Sequence, residues 1–173
     1  MKIAVLGAGA LGCAMGSCLC EAGHEVWLIN RNANHVDAMN RDGLTVRIQC
    51  ADRQIRVRAA CQAQDIAAQT GSVDLVIVLV KSFHTREAIL SATAIVGPRT
   101  VVLSLQNGLG HEDVLAEVVG REKVVAGKTY AGGVMLGPGH IIRGTEGKET
   151  HIGELDGRVT ERLQRIADVF NAA

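Results

Sequence analysis

The sequence predicts a doubly wound α/β fold, in which helices cover both faces of a mostly parallel sheet. Predicted strands and helices alternate up to about residue 127, and the strands are short apolar runs such as the one at 74–80. Twenty glycines against two prolines favour tight turns between strands and helices over disorder. The length of 173 residues fits one domain, predicted to span residues 1–173.

Composition excludes several classes of protein. The 18 Lys and Arg residues balance 18 Asp and Glu residues, so no net charge attracts nucleic acid or an anionic membrane. No apolar run approaches the length that spans a bilayer. The five cysteines form no C-x-x-C pair and no His/Cys cluster with metal-ligand spacing, which favours free thiols in a reducing compartment. We therefore expect a cytoplasmic protein without a metal, nucleic acid or membrane partner.

The first predicted unit is a strand, a helix and a second strand. Residues 2–6 form the first strand, residues 10–22 the helix and residues 26–29 the second strand, with Gly23 ending the helix. A unit of this length joins two parallel strands by a right-handed crossover.

An antiparallel hairpin is predicted inside this parallel pattern. Segments 44–50 and 55–59 alternate between apolar and polar residues, and a polar turn at 51–54 joins them. The other predicted elements are a helix at 32–41, a strand at 74–80, a helix at 85–95 ended by Gly97-Pro98, a strand at 100–105, a helix at 112–119, a strand at 124–126, a small antiparallel meander after Lys128 and an amphipathic helix at 159–170.

A glycine-rich turn follows the first strand. Gly7-Ala8-Gly9-Ala10-Leu11-Gly12 matches the pattern G-x-G-x-x-G. In a dinucleotide site the first glycine makes the turn, the second lets the backbone approach the pyrophosphate, and the third lets the helix pack on the strand. The flanking strand, helix and second strand favour dinucleotide binding over a purely structural turn. The fold is therefore predicted as a doubly wound, mostly parallel Rossmann-type sheet with an inserted antiparallel hairpin and a C-terminal antiparallel extension.

The residue after the second strand bears on which dinucleotide binds. NAD sites usually carry an acidic residue there, but this sequence has Asn30-Arg31 and no carboxylate before Asp37. The planar guanidinium of Arg31 suits a 2′-phosphate, so NADP(H) is favoured, the alternative being a surface arginine without a ligand.

Polar residues at the ends of later strands are candidates for the chemistry. Lys81 follows one central strand and Asn107 follows the next, and ligands of such sheets bind at these ends. Lys81 could bind ribose or phosphate or donate a proton, or only extend into solvent. Asn107 could orient a carbonyl or amide, or only shape a turn. None of the six histidines is expected to be catalytic: His24, His35, His84, His111, His140 and His151.

Five motifs occur in an order typical of a known enzyme family. They are Gly7–Gly12, Arg31, Val80-Lys81-Ser82, Gln106-Asn107-Gly108-Leu109-Gly110 and Gly137-Pro138-Gly139. In these the chain resembles the N-terminal domain of ketopantoate reductases (2-dehydropantoate 2-reductases) along nearly its whole length. Lys81 and Asn107-Gly108 are more discriminating than the glycine-rich turn.

The resemblance implies a function and site residues. The reaction would be the NADPH-dependent reduction of 2-dehydropantoate, or of a related small 2-keto acid, in pantothenate and coenzyme A synthesis. Gly7–Gly12 would bind the pyrophosphate, Arg31 the 2′-phosphate, and Gly133 would make a backbone contact with the cofactor. Lys81 would lie beside the cofactor, and Asn107 would contact the nicotinamide ribose or the substrate, which makes both candidate catalytic residues.

The resemblance also implies a second, helical domain that carries the proton-donating lysine and is absent from this chain. We therefore expect NADPH binding without appreciable turnover, and an apolar docking face on the last helix or the glycine-rich meander, with a homodimer as one outcome of that exposure. Two alternatives stay open: a stand-alone NADP(H)-binding redox-sensing or regulatory module, and the cofactor domain of another 2-keto-acid or glycerol-phosphate-type dehydrogenase.

Overall fold

The computed structural model describes all of residues 1–173. Three single-turn 3₁₀ helices occur at Ser82–His84, Thr93–Ile95 and Arg121–Lys123. The longer elements are, in chain order, β1 (Lys2–Leu6), α1 (Ala10–Glu21), β2 (Glu25–Ile29), α2 (Ala33–Asp42), β3 (Leu44–Ile48), β4 (Ala51–Ile55), β5 (Arg58–Ala60), α3 (Ala63–Thr70), β6 (Val73–Val78), α4 (Thr85–Ser91), β7 (Val96–Ser104), α5 (His111–Val119), β8 (Val124–Thr129), β9 (Gly132–Gly137), β10 (His140–Gly144), β11 (Thr150–Glu154) and α6 (Glu161–Asn171).

Seven strands form the larger sheet in the order β11-β8-β7-β6-β1-β2-β5. All neighbouring strands are parallel except β11, which pairs antiparallel with β8. The six parallel strands have the Rossmann order 3-2-1-4-5-6, in which the chain reverses direction beside its first strand. This confirms the predicted fold class, including its antiparallel extension.

Side chains of the central strands alternate between two hydrophobic cores. In β1, Ile3 and Val5 join a cluster of 25 buried residues that includes residues of α1, α2 and α6. Ala4 and Leu6 point to the opposite face and join a cluster of 16 residues beneath α3, α4 and α5. Because both faces of the sheet are covered, its strands are continuously apolar.

A second sheet of four strands, ordered β4-β3-β10-β9, packs on α1. Its two hairpins meet where β3 and β10 run parallel. The sheet therefore joins the predicted hairpin to the first two strands of the predicted meander, and it places β9 beside the start of α1. None of the helices is long and apolar enough to cross a bilayer.

The predicted hairpin existed, but its second strand was misplaced. The segment predicted at 55–59 is divided between two sheets, because β4 ends at Ile55 and β5 pairs with β2 in the larger sheet. The turn lies at Gln49, whose φ of 55° is left-handed, and not in the polar stretch at 51–54. That stretch forms most of β4, an exposed edge strand without an apolar pattern.

Three further predictions were wrong in part. The helix predicted at 85–95 ends at Ser91 and gives way to a 3₁₀ turn, and Gly97-Pro98 lies inside β7, where its pairing with β6 shifts register. The predicted meander is divided, since β11 belongs to the larger sheet.

The expected exposed face of the last helix is buried. Leu163, Ile166 and Val169 pack into the larger core, so α6 offers no apolar docking face there. Exposed apolar side chains lie instead on β9, within the glycine-rich segment: Val134, Met135 and Leu136.

Candidate cofactor-binding site

The glycine-rich turn lies at the carboxyl end of β1, and each of its glycines meets a different environment. Gly7 has a φ of +104°, and a Cβ there would lie 2.6 Å from the nitrogen of Val80. A Cβ on Gly12 would lie 2.4 Å from the carbonyl oxygen of Gly7, so the helix packs directly on the turn. At Gly9 no atom lies within 4 Å of that position. The backbone of Gly9 is therefore open to a ligand, whereas the two outer glycines are needed for folding.

The start of α1 can attract an anion. Gly9 is the N-cap residue and supplies no side chain, and the first turn contains no acidic residue. The N–H groups of a first helical turn have no acceptor within the helix, and the helix dipole adds positive potential there. The geometry of the turn thus suits a phosphate group.

The carbonyl oxygen of Ala8 holds the turn in place by accepting hydrogen bonds from three side chains. The Asn30 amide donates through Nδ2 at 2.7 Å, and the Cys13 thiol donates at 3.4 Å. The Nε2 of His35 lies 3.1 Å from the same oxygen. Burial raises the pKa of the Cys13 thiol to about 12, so the thiol stays protonated and acts as a donor.

His35 connects the turn to the second sheet. Its Nδ1 lies 2.9 Å from the backbone nitrogen of Gly139, which can only donate, so Nδ1 accepts and the ring proton resides on Nε2. This neutral tautomer is the one that can donate to Ala8. Burial lowers the pKa of His35, although the bond to Ala8 favours the charged form.

Arg31 lies beyond the end of β2 and is exposed to solvent. Its Nη1 is 3.2 Å from Oε1 of Glu87, and its Nη2 is 3.3 Å from Nε2 of His84. Both partners come from the segment that follows β6. A guanidinium at this position can bind a phosphate, but here it already contacts a carboxylate.

Gln106 fixes the ends of β6 and β7 relative to one another. It is buried, and its Nε2 donates to the carbonyl oxygen of Val80 at 2.9 Å and to the hydroxyl of Thr85 at 2.8 Å. Lys81 follows Val80 and Asn107 follows Gln106, so these bonds position the backbone next to both candidate residues. The side chains of Lys81 and Asn107 are exposed at the same edge of the sheet.

A cleft of about 640 Å³ opens beside Asn107. Its lining includes Leu109, which is almost fully exposed, and the strand residues Gly127 and Lys128. Lys128 was predicted to follow its strand but lies within β8, where its Nζ is 4.5 Å from the centre of the Tyr130 ring. His111 opens α5 and contacts the Asn107 carbonyl oxygen at 2.9 Å through Nε2.

Gly133 lies on β9, against the first turn of α1. A Cβ there would be 2.7 Å from the carbonyl oxygen of Ala10, so a close backbone approach explains the glycine. The structure thus places the predicted residues of the strand ends, Gly7–Gly12, Arg31, Lys81 and Asn107, along one edge of the larger sheet, whereas Gly133 approaches from the second sheet.

The site contains residues that sequence reasoning did not select. Asn30, His35, Glu87 and Gln106 position the turn, Arg31 or the strand ends through the contacts above. Two of them had a sequence signal: Asn30 directly follows β2, where an NAD site usually has its acidic residue, and Gln106 belongs to one of the five motifs.

A family model described as ketopantoate reductase PanE/ApbA matches residues 3–157. The 2-dehydropantoate 2-reductase of Pyrococcus abyssi is 38% identical over 173 residues, which are 100% of this chain and 54% of that protein. The enzyme of the same name from Aquifex aeolicus is 30% identical, over 100% of this chain and 53% of its own length. The chain thus spans about half the length of the curated relatives it matches.

Solved structures of similar fold include a ketopantoate reductase and a D-mandelate dehydrogenase. The PanE/ApbA family ketopantoate reductase from Ralstonia eutropha is 37% identical with a TM-score of 0.85, over 99% of this chain and 54% of that one. D-mandelate dehydrogenase in a ternary complex with NADH and anilino(oxo)acetate is 27% identical with a TM-score of 0.90, also over 99% of this chain and 54% of that one.

Proposed function

Because the chain belongs to the ketopantoate reductase PanE/ApbA family, we propose that it binds NADP(H) and supplies the cofactor-binding domain, residues 1–173, for reduction of 2-dehydropantoate to pantoate. The observation that carries the proposal is the glycine-rich turn. Gly9 leaves the space in front of α1 open, while Gly7 and Gly12 are closely packed. A turn of this design admits the pyrophosphate of a dinucleotide.

The residues at the carboxyl edge fit NADP(H). The N–H groups at the start of α1 would bind the pyrophosphate, and Arg31 would bind the 2′-phosphate on the adenosine ribose. Gly133 would present backbone to the cofactor from β9. Together these groups supply the positive potential that three phosphate groups require.

Lys81 and Asn107 would act nearer the reacting atoms. When bound, NADPH supplies the hydride that reduces the keto carbon. The exposed ammonium of Lys81 would bind ribose or phosphate oxygens, which orients the cofactor. The Asn107 amide would donate to and accept from the nicotinamide ribose or the 2-keto acid, and it keeps that role at any pH because it does not titrate.

Substrate and partners follow from the family. The substrate would be a small 2-keto acid, and the exposed strand residues Val134, Met135 and Leu136 support a docking surface for a helical domain or a second copy of the chain. The five free cysteines support a cytoplasmic, reducing location, because disulfides are rare there.

Titration with NADPH, followed by the fluorescence of its nicotinamide, tests the proposal. We expect micromolar binding, weakened about tenfold or more by Lys81→Ala or Asn107→Ala, since each removes a hydrogen-bonding group from the site. Lys148→Ala, a lysine in an exposed loop, is the control and should bind as the wild type does. Absence of NADPH binding to a folded protein would refute the proposal.

A second candidate function is the interconversion of another 2-hydroxy acid and its 2-keto acid. The TM-score of 0.90 to D-mandelate dehydrogenase favours it. The rates at which NADPH and NADH are oxidised should be measured with 2-dehydropantoate as substrate and again with the 2-keto acid that corresponds to mandelate. Selective turnover of the aromatic acid would favour this candidate, whereas cofactor binding without turnover is the result expected of the cofactor-binding domain alone.

A further inference from the structure

A carboxylate lies beside the arginine that is proposed to bind the 2′-phosphate. Arg31 contacts Glu87 through Nη1 and His84 through Nη2. The guanidinium can only donate, so Nε2 of His84 accepts and its Nδ1 carries the proton. That Nδ1 lies 3.2 Å from the other carboxylate oxygen of Glu87, which closes a ring of three side chains.

The ring spans the end of the strand from which the glycine-rich turn leaves. Arg31 follows β2, Glu87 lies in the first turn of α4 after β6, and β1 lies between β2 and β6 in the sheet. The two residues are 56 positions apart in sequence. Glu87, which belongs to another segment, therefore places a carboxylate where NAD sites have an acidic residue at the end of the second strand.

The two charges favour different cofactors. The 2′-hydroxyl of an unphosphorylated ribose donates a hydrogen bond to a carboxylate, which is the usual contact in NAD sites. A 2′-phosphate is repelled by a carboxylate and attracted by a guanidinium. Both side chains are about two-thirds exposed, and ion pairs of this kind are weak, so either partner can turn toward a ligand.

We propose that Glu87 is a specificity-determining residue, which accepts a hydrogen bond from the 2′-hydroxyl of NADH and repels the 2′-phosphate of NADPH. Arg31 and Glu87 together then set the ratio of the two affinities, and the protein binds both cofactors. This inference rests on the proposed dinucleotide site, and it modifies the NADP(H) preference that Arg31 alone implies.

The test measures dissociation constants for NADPH and NADH with the wild type and with Glu87→Gln and Arg31→Gln. The wild type should bind the two cofactors within about tenfold of each other. Glu87→Gln should tighten NADPH binding about three- to tenfold, because the charge repulsion is lost, and weaken NADH binding about threefold or more, because a neutral amide oxygen accepts a weaker hydrogen bond than a carboxylate. Arg31→Gln should weaken NADPH binding about tenfold and leave NADH binding nearly unchanged.

Glu117→Gln is the matched control, because Glu117 forms a similarly exposed ion pair with Arg86 between α4 and α5. It removes the same charge and should leave both constants unchanged. Weaker NADPH binding by Glu87→Gln, or no change in either constant, would overturn the inference and leave the proposed function intact. If the folded wild type binds neither cofactor, the proposed function itself is wrong.

Discussion

The imidazole of His35 accepts a hydrogen bond of 2.9 Å from the backbone N–H of Gly139, a residue 104 positions later in the chain. The same ring contacts the Ala8 carbonyl oxygen at 3.1 Å. One neutral histidine therefore holds the glycine-rich turn and the second sheet in a fixed relation. Protonation would place a second donor against the N–H of Gly139 and break that bond.

The first prediction concerns the pH dependence of stability. The pKa of His35 is lowered by burial from its ordinary 6.5, so the unfolded chain binds a proton more readily than the native protein. Stability from this group is complete above pH 6.5 and is lost as the pH falls toward the lower, native pKa. Thermal unfolding measured between pH 7.5 and about 5 should show a falling midpoint.

His35→Gln separates this effect from other titrations, since glutamine can accept and donate without titrating. The pKa of His24 is also lowered, by burial and by the chain's amino terminus, but His24 is present in both proteins. The wild type should therefore lose more stability on acidification than the variant. Parallel midpoint curves for the two proteins would contradict the assignment. His35→Leu should cost about 1–3 kcal/mol at pH 7.5, because it leaves the N–H of Gly139 unpaired.

The second prediction separates the binding and folding roles of the glycines. Gly12→Ala should lower the free energy of unfolding by about 1–3 kcal/mol, because its Cβ would lie 2.4 Å from a backbone oxygen. Gly9→Ala should lower the free energy of unfolding by about 1 kcal/mol or less, because glycine and alanine differ by that amount at an N-cap position. It should nevertheless weaken NADPH binding, since its methyl group would project into open space in front of the helix. Urea unfolding and NADPH titration of both variants measure this contrast. Equal losses of stability in the two variants would refute the prediction.

The parts of the fold that depend on local pattern were predictable. Strand β1 was predicted with its observed limits, because a continuous apolar run ends at a glycine. Strand β4 was missed since four of its five residues are exposed, and β5 has only three residues. Helix α3 was not predicted either, because it is short and buries only Ala63 and Ile66.

The candidate site divides in the same way. The glycine-rich turn and Arg31 could be selected from sequence because their spacing from β1 is local. The contacts of Arg31 with Glu87 and of His35 with Gly139 could not, because they join segments 56 and 104 positions apart. Such pairs depend on the order of strands in the sheet and on the packing of the second sheet.

The third prediction concerns the attachment of α6. The side chain of Glu154, at the end of β11, is 6% exposed and accepts hydrogen bonds from Arg162, with Nε at 2.7 Å, and from the Thr160 hydroxyl. These bonds, chiefly that from Arg162, hold the pKa of Glu154 below its ordinary 4.5. Glu154→Gln should lower the free energy of unfolding by about 1–3 kcal/mol at pH 7.

The pH dependence of that loss identifies its cause. A lowered native pKa stabilises the protein above about pH 4.5, and the stabilisation is lost as the pH falls through the native value. The difference between wild type and variant should therefore shrink below pH 4.5. Asp156→Asn, which removes a carboxylate from an exposed pair with Arg158, is the control and should not change stability measurably. A difference that is constant with pH would point to lost packing instead.

The last prediction concerns Gln106, which bonds the end of β7 to the end of β6. Gln106→Met keeps the approximate shape but removes the donor, so the carbonyl oxygen of Val80 and the hydroxyl of Thr85 lose a buried partner. We expect a loss of about 1–3 kcal/mol in stability. NADPH should also bind more weakly, since Lys81 and Asn107 are adjacent to the bonded residues. Gln69→Met, at an exposed position in α3, should change neither quantity. Lower stability with unchanged NADPH affinity would show that the strand ends stay in place without this bond, and that Lys81 and Asn107 are positioned by their own loops.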